Sequence, residues 1–359
     1  MCRKPSKFGK VTRSASFTKA KKYDRIFFRQ HLLFSNKGGR LIIMKRRFAL
    51  LLAVIMAFSF MACASSFKPG EKLHLKPNKN ISADQTVLDM SFTPPEDYVS
   101  VKRSIDRRSD GTITEKVMTY TFADGSELAF SSAKDVEEGQ LEQVRDYISA
   151  DKIENREIAG KSFMVFEYDE LYAMCQEGTN AYGVQFVFPE SEGEASEEPK
   201  TSELFDKSLE GLSFTDNTET AENAEGIDGI SYTMDENLNV VSTFDVQEES
   251  KGGDLVSKSY TWRYGEGESI DFRFSICVVK NTTVDEQLDK DKTYSQATVG
   301  DITYTVRKDS DDKIFEYYTQ QGSDVYIIRN LGDDSNWFTT RSEESYTAFE
   351  NLINSVSFG

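Results

Sequence analysis

Three short stretches bring enough side-chain oxygens together to suggest a calcium ion: Asp309-Ser310-Asp311-Asp312, Asp333-Asp334-Ser335-Asn336 and Asp235-Glu236-Asn237-Leu238-Asn239. The last begins like an EF-hand loop. Its sixth position is Val240 where glycine is needed, and its twelfth is Val246 where a bidentate acid is needed. Solvated turns are the simpler reading of all three, and no metal site is assigned. Gly160-Lys161-Ser162 ends like a phosphate loop, yet Asn155 stands where the upstream glycine belongs. Ser131 and Lys134 have the spacing of a serine–lysine acylase without its Ser-Asp-Asn or Lys-Thr-Gly partners. After Cys63 the chain holds one histidine, His74, which excludes histidine-based triads and paired-histidine zinc sites. A carboxylate-based hydrolase stays open, since acids are abundant enough to supply a pair. No catalytic, cofactor-binding or metal-ligating residue is assigned, and the expectation is a protein that is not an enzyme.

Aromatic residues are the remaining binding chemistry. Trp262, Tyr304, Tyr317, Tyr318, Tyr326 and Trp337 concentrate in the second half. Tyr260 and Trp262 share strand parity and are expected in a core, as are Tyr120 and Phe122. Trp337, next to Asn336 in a polar stretch, is the candidate for a surface that binds a peptide or glycan.

Four cysteines, Cys2, Cys63, Cys175 and Cys277, are too few for a disulfide scaffold. Cys175 and Cys277 lie in apolar strand-like contexts and are expected to be buried free thiols. Cys63 is different. It ends a segment that opens with Met44-Lys45-Arg46-Arg47 and continues with mostly apolar residues from Phe48 to Ala62, the pattern of a secretory signal over 44–62. Phe60-Met61-Ala62-Cys63 resembles a bacterial lipoprotein cleavage box, although Phe60 and Met61 are bulky for their positions. The resemblance implies lipid attachment at Cys63 and an extracytoplasmic protein anchored to the bacterial cell membrane. An ordinary cut after Ala62-Cys63-Ala64 is the alternative. Residues 1–43 are basic and unpatterned, and Met44 reads as the true start; a cytoplasmic extension is the other reading.

Charge changes sign at the same point. Against 43 basic and 60 acidic residues overall, 1–62 holds fifteen basic residues and only Asp24 as an acid, leaving a formal −31 from Cys63 onward. Such a balance argues against nucleic acid or an anionic membrane as a surface partner.

The elements that must position any site are written twice. Met90-Ser91-Phe92-Thr93 matches Ile230-Ser231-Tyr232-Thr233, Tyr120-Thr121-Phe122 matches Tyr260-Thr261-Trp262, and Ile158-Ala159-Gly160 matches Thr298-Val299-Gly300, all 140 positions apart. Near the ends Phe205 matches Phe349 and Ser213-Phe214 matches Ser357-Phe358, at an offset of 144. A period this long denotes a duplicated domain. The reading is a polar tether over 63–84, repeat domain one over 85–216, a linker over 217–226, and repeat domain two over 227–359. An acidic loop over 190–203 interrupts the first repeat. Within it, strands are expected near 87–92, 98–105, 117–122, 127–130, 162–168, 171–176 and 182–188, with helices over 136–149 and from Ser202 to Leu209. Ser202 reads as an N-cap, and Thr283 with Glu286 as a capping box in the second repeat.

This order of a Tyr-x-(Phe/Trp) hairpin, a glycine turn feeding long strands, and a closing helix followed by Ser-Phe resembles the PsbP-like and DcrB-like domains of bacterial lipoproteins. It also resembles small ectodomains of anti-sigma-type membrane proteins in Gram-positive bacteria. The resemblance implies an α+β fold, two tandem copies of an antiparallel-sheet domain with helices packed on the sheet, and a binding or accessory role. The expected partners are membrane lipid through the anchor and an unknown extracellular protein, peptide or glycan. A transporter-associated solute-binding protein is the runner-up.

Overall fold

The computed structural model describes residues 81–359 apart from 82–83, 149–152, 168–169, 190–201, 216–226, 228, 234–237, 267–268 and 334–340. The signal segment 44–62, Cys63, His74, the linker 217–226 and Trp337 lie outside the described residues.

In the first half, short β1 (Thr86–Val87) and β2 (Met90–Ser91) precede three long strands, β3 (Tyr98–Arg108), β4 (Ile113–Phe122) and β5 (Glu127–Ala133). Helix α1 (Gln140–Tyr147) follows. Next come β6 (Ile153–Ile158), β7 (Lys161–Glu167), β8 (Leu171–Glu177), β9 (Asn180–Val187), helix α2 (Glu203–Glu210) and β10 (Ser213–Phe214). The second half runs through β11 (Ile230–Ser231), β12 (Val240–Ser250), β13 (Leu255–Glu266), β14 (Ser269–Val279) and α3 (Val284–Gln287). It continues with β15 (Ser295–Val299), β16 (Ile302–Lys308), β17 (Ile314–Gln321), β18 (Asp324–Gly332), α4 (Glu343–Ser355) and β19 (Ser357–Phe358).

The local reasons are those of hairpin and cap chemistry. Ala159 and Gly160 both take positive φ, 50° and 83°, in the two-residue turn joining β6 to β7, a twist that matches the flanking strands. Ser202 accepts a hydrogen bond from the Phe205 N–H at 3.2 Å, and Glu286 accepts one from the Thr283 N–H at 3.0 Å. Each satisfies a helix-end donor that has no partner within its helix.

Among the described residues, fourteen strands form one antiparallel sheet. From its middle the order outward is β3, β4, β5, β9, β8, β7, β6 on one side and β12, β13, β14, β18, β17, β16, β15 on the other. The same sequence of elements therefore reads in both directions from a seam where β3 pairs with β12 over nine residue pairs, from Ser242 opposite Arg108 to Ser250 opposite Ser100. This corrects the expected α+β fold. The molecule is mostly β, and its helices are short additions to one continuous sheet rather than the second layer of two separate domains. The physical reason lies in β3 and β12. Left apart, each would be a long exposed edge; pairing satisfies both rows of backbone groups at once.

One face of the sheet carries two separate cores. Met118, Tyr120, Phe130, Phe163, Phe205 and Leu209 belong to the first, and Tyr260, Trp262, Phe274, Tyr317, Phe349 and Ile353 to the second. Between them lies a buried polar ribbon along the seam. Arg107 and Asp245 pair there with both side chains almost wholly buried, Asp84 binds Lys116 at 2.9 Å, and Glu249 accepts from the Ile81 N–H at 2.9 Å. A one-residue slip of β3 against β12 would part Arg107 from Asp245, so this ribbon pins the register.

Candidate functional site

Several residues singled out by sequence have structural duties. Tyr260 and Trp262 are 2 % and 1 % exposed, in edge-to-face contact within the second core. Asp309 closes a turn by accepting from the N–H groups of Asp311 at 2.9 Å and Lys313 at 3.0 Å. Gly160 is a hairpin residue, and Ser131 donates to the Gly183 carbonyl at 3.3 Å. Cys175 and Cys277 are free; Cys175 is buried and Cys277 half-buried, and burial pushes both thiols up to about 11. Among the described residues no group of three His, Cys, Asp or Glu is placed to hold a metal ion.

The other face of the sheet is where binding chemistry collects. Near one end α1 covers it, Val144 and Ile148 packing on Met164, Phe166, Tyr172 and Met174. Near the other, Val284, Leu288 and Tyr294 cover Val279, Tyr318, Val325 and Ile327. Between β8 and β14 lie six strands, roughly 35 Å of sheet at a spacing of ~4.8 Å. Across the middle of this span, successive cross-strand partners are Ser131, Val117, Ser104, Val246, Ser259 and Cys277. All six are small or medium-sized and half-buried, which leaves a low floor between two covered ends.

The adjacent row carries the charge. Glu115 on β4, Asp106 on β3, Phe244 on β12, Thr261 on β13 and Ser275 on β14 are consecutive cross-strand partners on the same face, followed by Arg329 on β18. Arg263 reaches over β12. Its guanidinium lies 5.4 Å from the Phe244 ring and donates to Asp106 Oδ2 at 2.5 Å and Ser242 Oγ at 3.3 Å. At the far end Glu316 meets Arg307 and Arg329, each at 3.4 Å, and accepts from the Tyr318 hydroxyl at 3.1 Å. Bulges interrupt four of these pairings within three residues of the row, at Asp106/Arg107, Val240/Ser242, Tyr264/Gly265 and Arg273/Phe274. Such irregularities re-aim side chains.

Two members of the row are left over. Asp106 Oδ1 and Thr261 Oγ1 are buried without a hydrogen-bond partner. The Glu115 carboxyl, 9 % exposed, makes no hydrogen bond or ion pair with a described residue. Burial, reinforced by the Asp106 charge and opposed by Arg263, pushes Glu115 up to about 8. It therefore keeps its proton at neutral pH. Asp106 and Glu115 are thus a desolvated carboxyl pair, which carboxylate chemistry needs. A small cavity near Val136 and Tyr182 has about 10 Å³. The open depression of about 580 Å³ lies at the sheet edge along Arg156, Glu157 and Asp206, where Arg156 is bound by Glu154 and Asp206.

No known protein family and no curated protein matches this chain. Weak likenesses to solved structures exist. The immunity protein TplEi of Pseudomonas aeruginosa, complexed with "L" peptide, matches with a TM-score of 0.23 and 9 % identity over 76 % of this chain and 95 % of its own. Its apo form gives 0.20 and 8 % over the same shares, and MucB in complex with MucA(peri) gives 0.14 and 10 % over 73 % and 93 %. Two of these three structures hold a bound peptide or protein segment, but scores this low carry no argument about the present chain.

Proposed function

We propose that this chain is a lipid-anchored extracytoplasmic binding module without catalytic activity, and that it receives an extended peptide segment of a partner protein on the outer sheet face between α1 and α3. The observation that carries the binding surface is the row of buried polar groups without partners beside the half-buried floor. Buried polar atoms without partners also occur on the core face, at the Tyr120 hydroxyl, Gln247 Oε1 and Trp262 Nε1; what sets the outer face apart is that two carboxyl groups, Asp106 and Glu115, stand on neighbouring strands there beside Thr261. The anchor rests on the 44–63 segment of the sequence. The hydrolase reading is weaker because, among the described residues, neither the cavity near Val136 nor the depression along Arg156 reaches the carboxyl pair. The solute-receptor reading is weaker because β3 and β12 join the halves along one sheet, with no interlobe cleft among the described residues.

A fluorophore attached through Ser259→Cys, in a background lacking Cys277, would report occupancy of the floor when extended peptides and oligosaccharides are screened. Peptide-dependent fluorescence that Val246→Arg abolishes is expected, with an unchanged thermal transition. A ligand that raises Tm yet leaves the label silent and ignores Val246→Arg would place binding elsewhere; an oligosaccharide response would replace the peptide. For the anchor, Cys63→Ala is expected to move the protein from the membrane fraction into the medium.

A further inference from the structure

The binding face just proposed is the ground for a more specific reading of one of its subsites. We propose that Asp106 and Glu115 receive a single ammonium group of the ligand, a lysine side chain or a peptide amino terminus, on the outer face beside Arg263.

An ionised carboxyl oxygen can only accept hydrogen bonds, so unbound carboxyl oxygens mark a missing donor. Asp106 spends Oδ2 on Arg263 and leaves Oδ1 unbound, and the whole Glu115 carboxyl lacks a described partner. Charge gives the same answer. The charged groups that face Glu115 are Asp106 and Arg108 on β3, Arg263 on β13 and Asp135 after β5; Arg108 is paired with Asp135 at 2.6 Å. Arg263 then balances one of the two remaining carboxylates. A second bare negative charge in this position is costly, so either a proton or a ligand cation fills the place. Burial beside the Asp106 charge raises the Glu115 pKa, so a proton takes the place when no cation does.

An ammonium is the fitting cation. It is compact, carries three donors and can bridge two carboxyl groups on neighbouring strands. Two carboxyl groups beside an arginine are too few ligands for calcium, which takes six to eight oxygens. The formal charge of −17 further enriches cations near the surface. Thr261, across β12, remains for a polar group further along the same ligand.

The test uses the pentapeptide Ala-Ala-Lys-Ala-Ala, acetylated and amidated, and the same peptide with norleucine for lysine. Both are titrated by NMR and calorimetry between pH 6 and 9. Because the proton and the ammonium compete for one place, lysine-peptide affinity is expected to rise about tenfold from pH 7 to pH 9. Close to one proton should be released on binding near pH 7. Glu115→Gln, which imitates the protonated form and should fold, is expected to abolish that pH dependence and lower affinity at pH 9 at least tenfold. The norleucine peptide should bind weakly, without pH dependence, and equally to both proteins. Equal affinity of the two peptides, no detectable binding of the lysine peptide, or a Glu115→Gln protein that binds it unchanged would each overturn the subsite. If both peptides bind and both are lost in Val246→Arg but not in Glu115→Gln, the binding face survives and only the ammonium subsite falls. If Val246→Arg leaves both untouched, the two readings fall together.

Discussion

Along the β3–β12 seam, Arg107 and Asp245 close on each other on the core-facing side, whereas one residue along β3 the outward-facing Asp106 keeps a carboxyl oxygen unbound beside an unpartnered Glu115. Both faces bury charge, and both are served by the same two strands. The core face matches its main charges inside the protein and so fixes how the halves join. On the outer face the Glu115 carboxyl has no described hydrogen-bond or ion-pair partner. A buried ion pair is weak proof of stability but strong proof of register, while an unpartnered buried carboxyl points outward, to a proton or a ligand.

The largest effect that separates the faces should come from breaking the inner pair. Asp245→Ala removes the buried carboxylate that meets the Arg107 guanidinium, and a loss of about 3–5 kcal/mol in urea unfolding is expected. Adding Arg107→Met should restore much of it, because the buried charge is then gone. A loss under about 1 kcal/mol in the single variant would mean that the cores, not the ribbon, hold β3 to β12.

On the outer face the corresponding effect depends on pH. Glu115 keeps its proton up to about pH 8 in the folded chain, whereas its ordinary value is 4.5. The folded state therefore holds more protons across that window, and stability falls as pH rises from about 4.5 to 8. Glu115→Gln removes the titration, so this variant should be more stable than the parent at pH 9, by at most about 5 kcal/mol, and nearly equal to it near pH 4.5. Parallel stability curves for the two proteins would show that Glu115 is solvated.

The contrast between faces also explains what could be read from sequence. Paired positions 140 apart land on equivalent elements: Tyr120 on β4 and Tyr260 on β13, Gly160 before β7 and Gly300 before β16. The caps at Ser202 and Thr283 were legible because they rest on neighbouring residues. Strand β12 was not legible as a strand that joins the halves. Its core-facing positions are Thr243, Asp245, Gln247 and Glu249, so polar residues stand where alternation leads one to expect apolar ones. Edge strand β6, with Glu154, Arg156 and Glu157, hid for a similar reason. The outer row is less legible still. Asp106 and Arg263 are 157 positions apart, and only the register of three strands brings them together with Glu115. Lone charged residues in β-prone runs carry no mark of that meeting.

A smaller test concerns Thr261, whose hydroxyl is buried without a partner. Thr261→Val replaces it with a methyl group of similar size. Since an unsatisfied buried hydroxyl carries a desolvation penalty, the variant should gain roughly 1 kcal/mol in urea unfolding while weakening peptide binding. A loss of stability would reveal that the hydroxyl already has a partner and belongs with the paired inner face.

The smallest expected effect is on the floor itself. Ser104 and Ser259 face outward on neighbouring sides of Val246, half-buried, with no core beneath their side chains on that face. If this row exists to be covered by a ligand, the free protein should draw little stability from it. Ser104→Ala and Ser259→Ala should each change unfolding free energy by less than about 0.5 kcal/mol, the range of ordinary surface substitutions. Both should be felt in binding, because a flat floor beneath an extended peptide contributes hydroxyl contacts only when occupied. Losses above about 1 kcal/mol at both positions would show that the row is packed under the protein's own residues, and the outer face would then differ from the inner one in charge but not in accessibility.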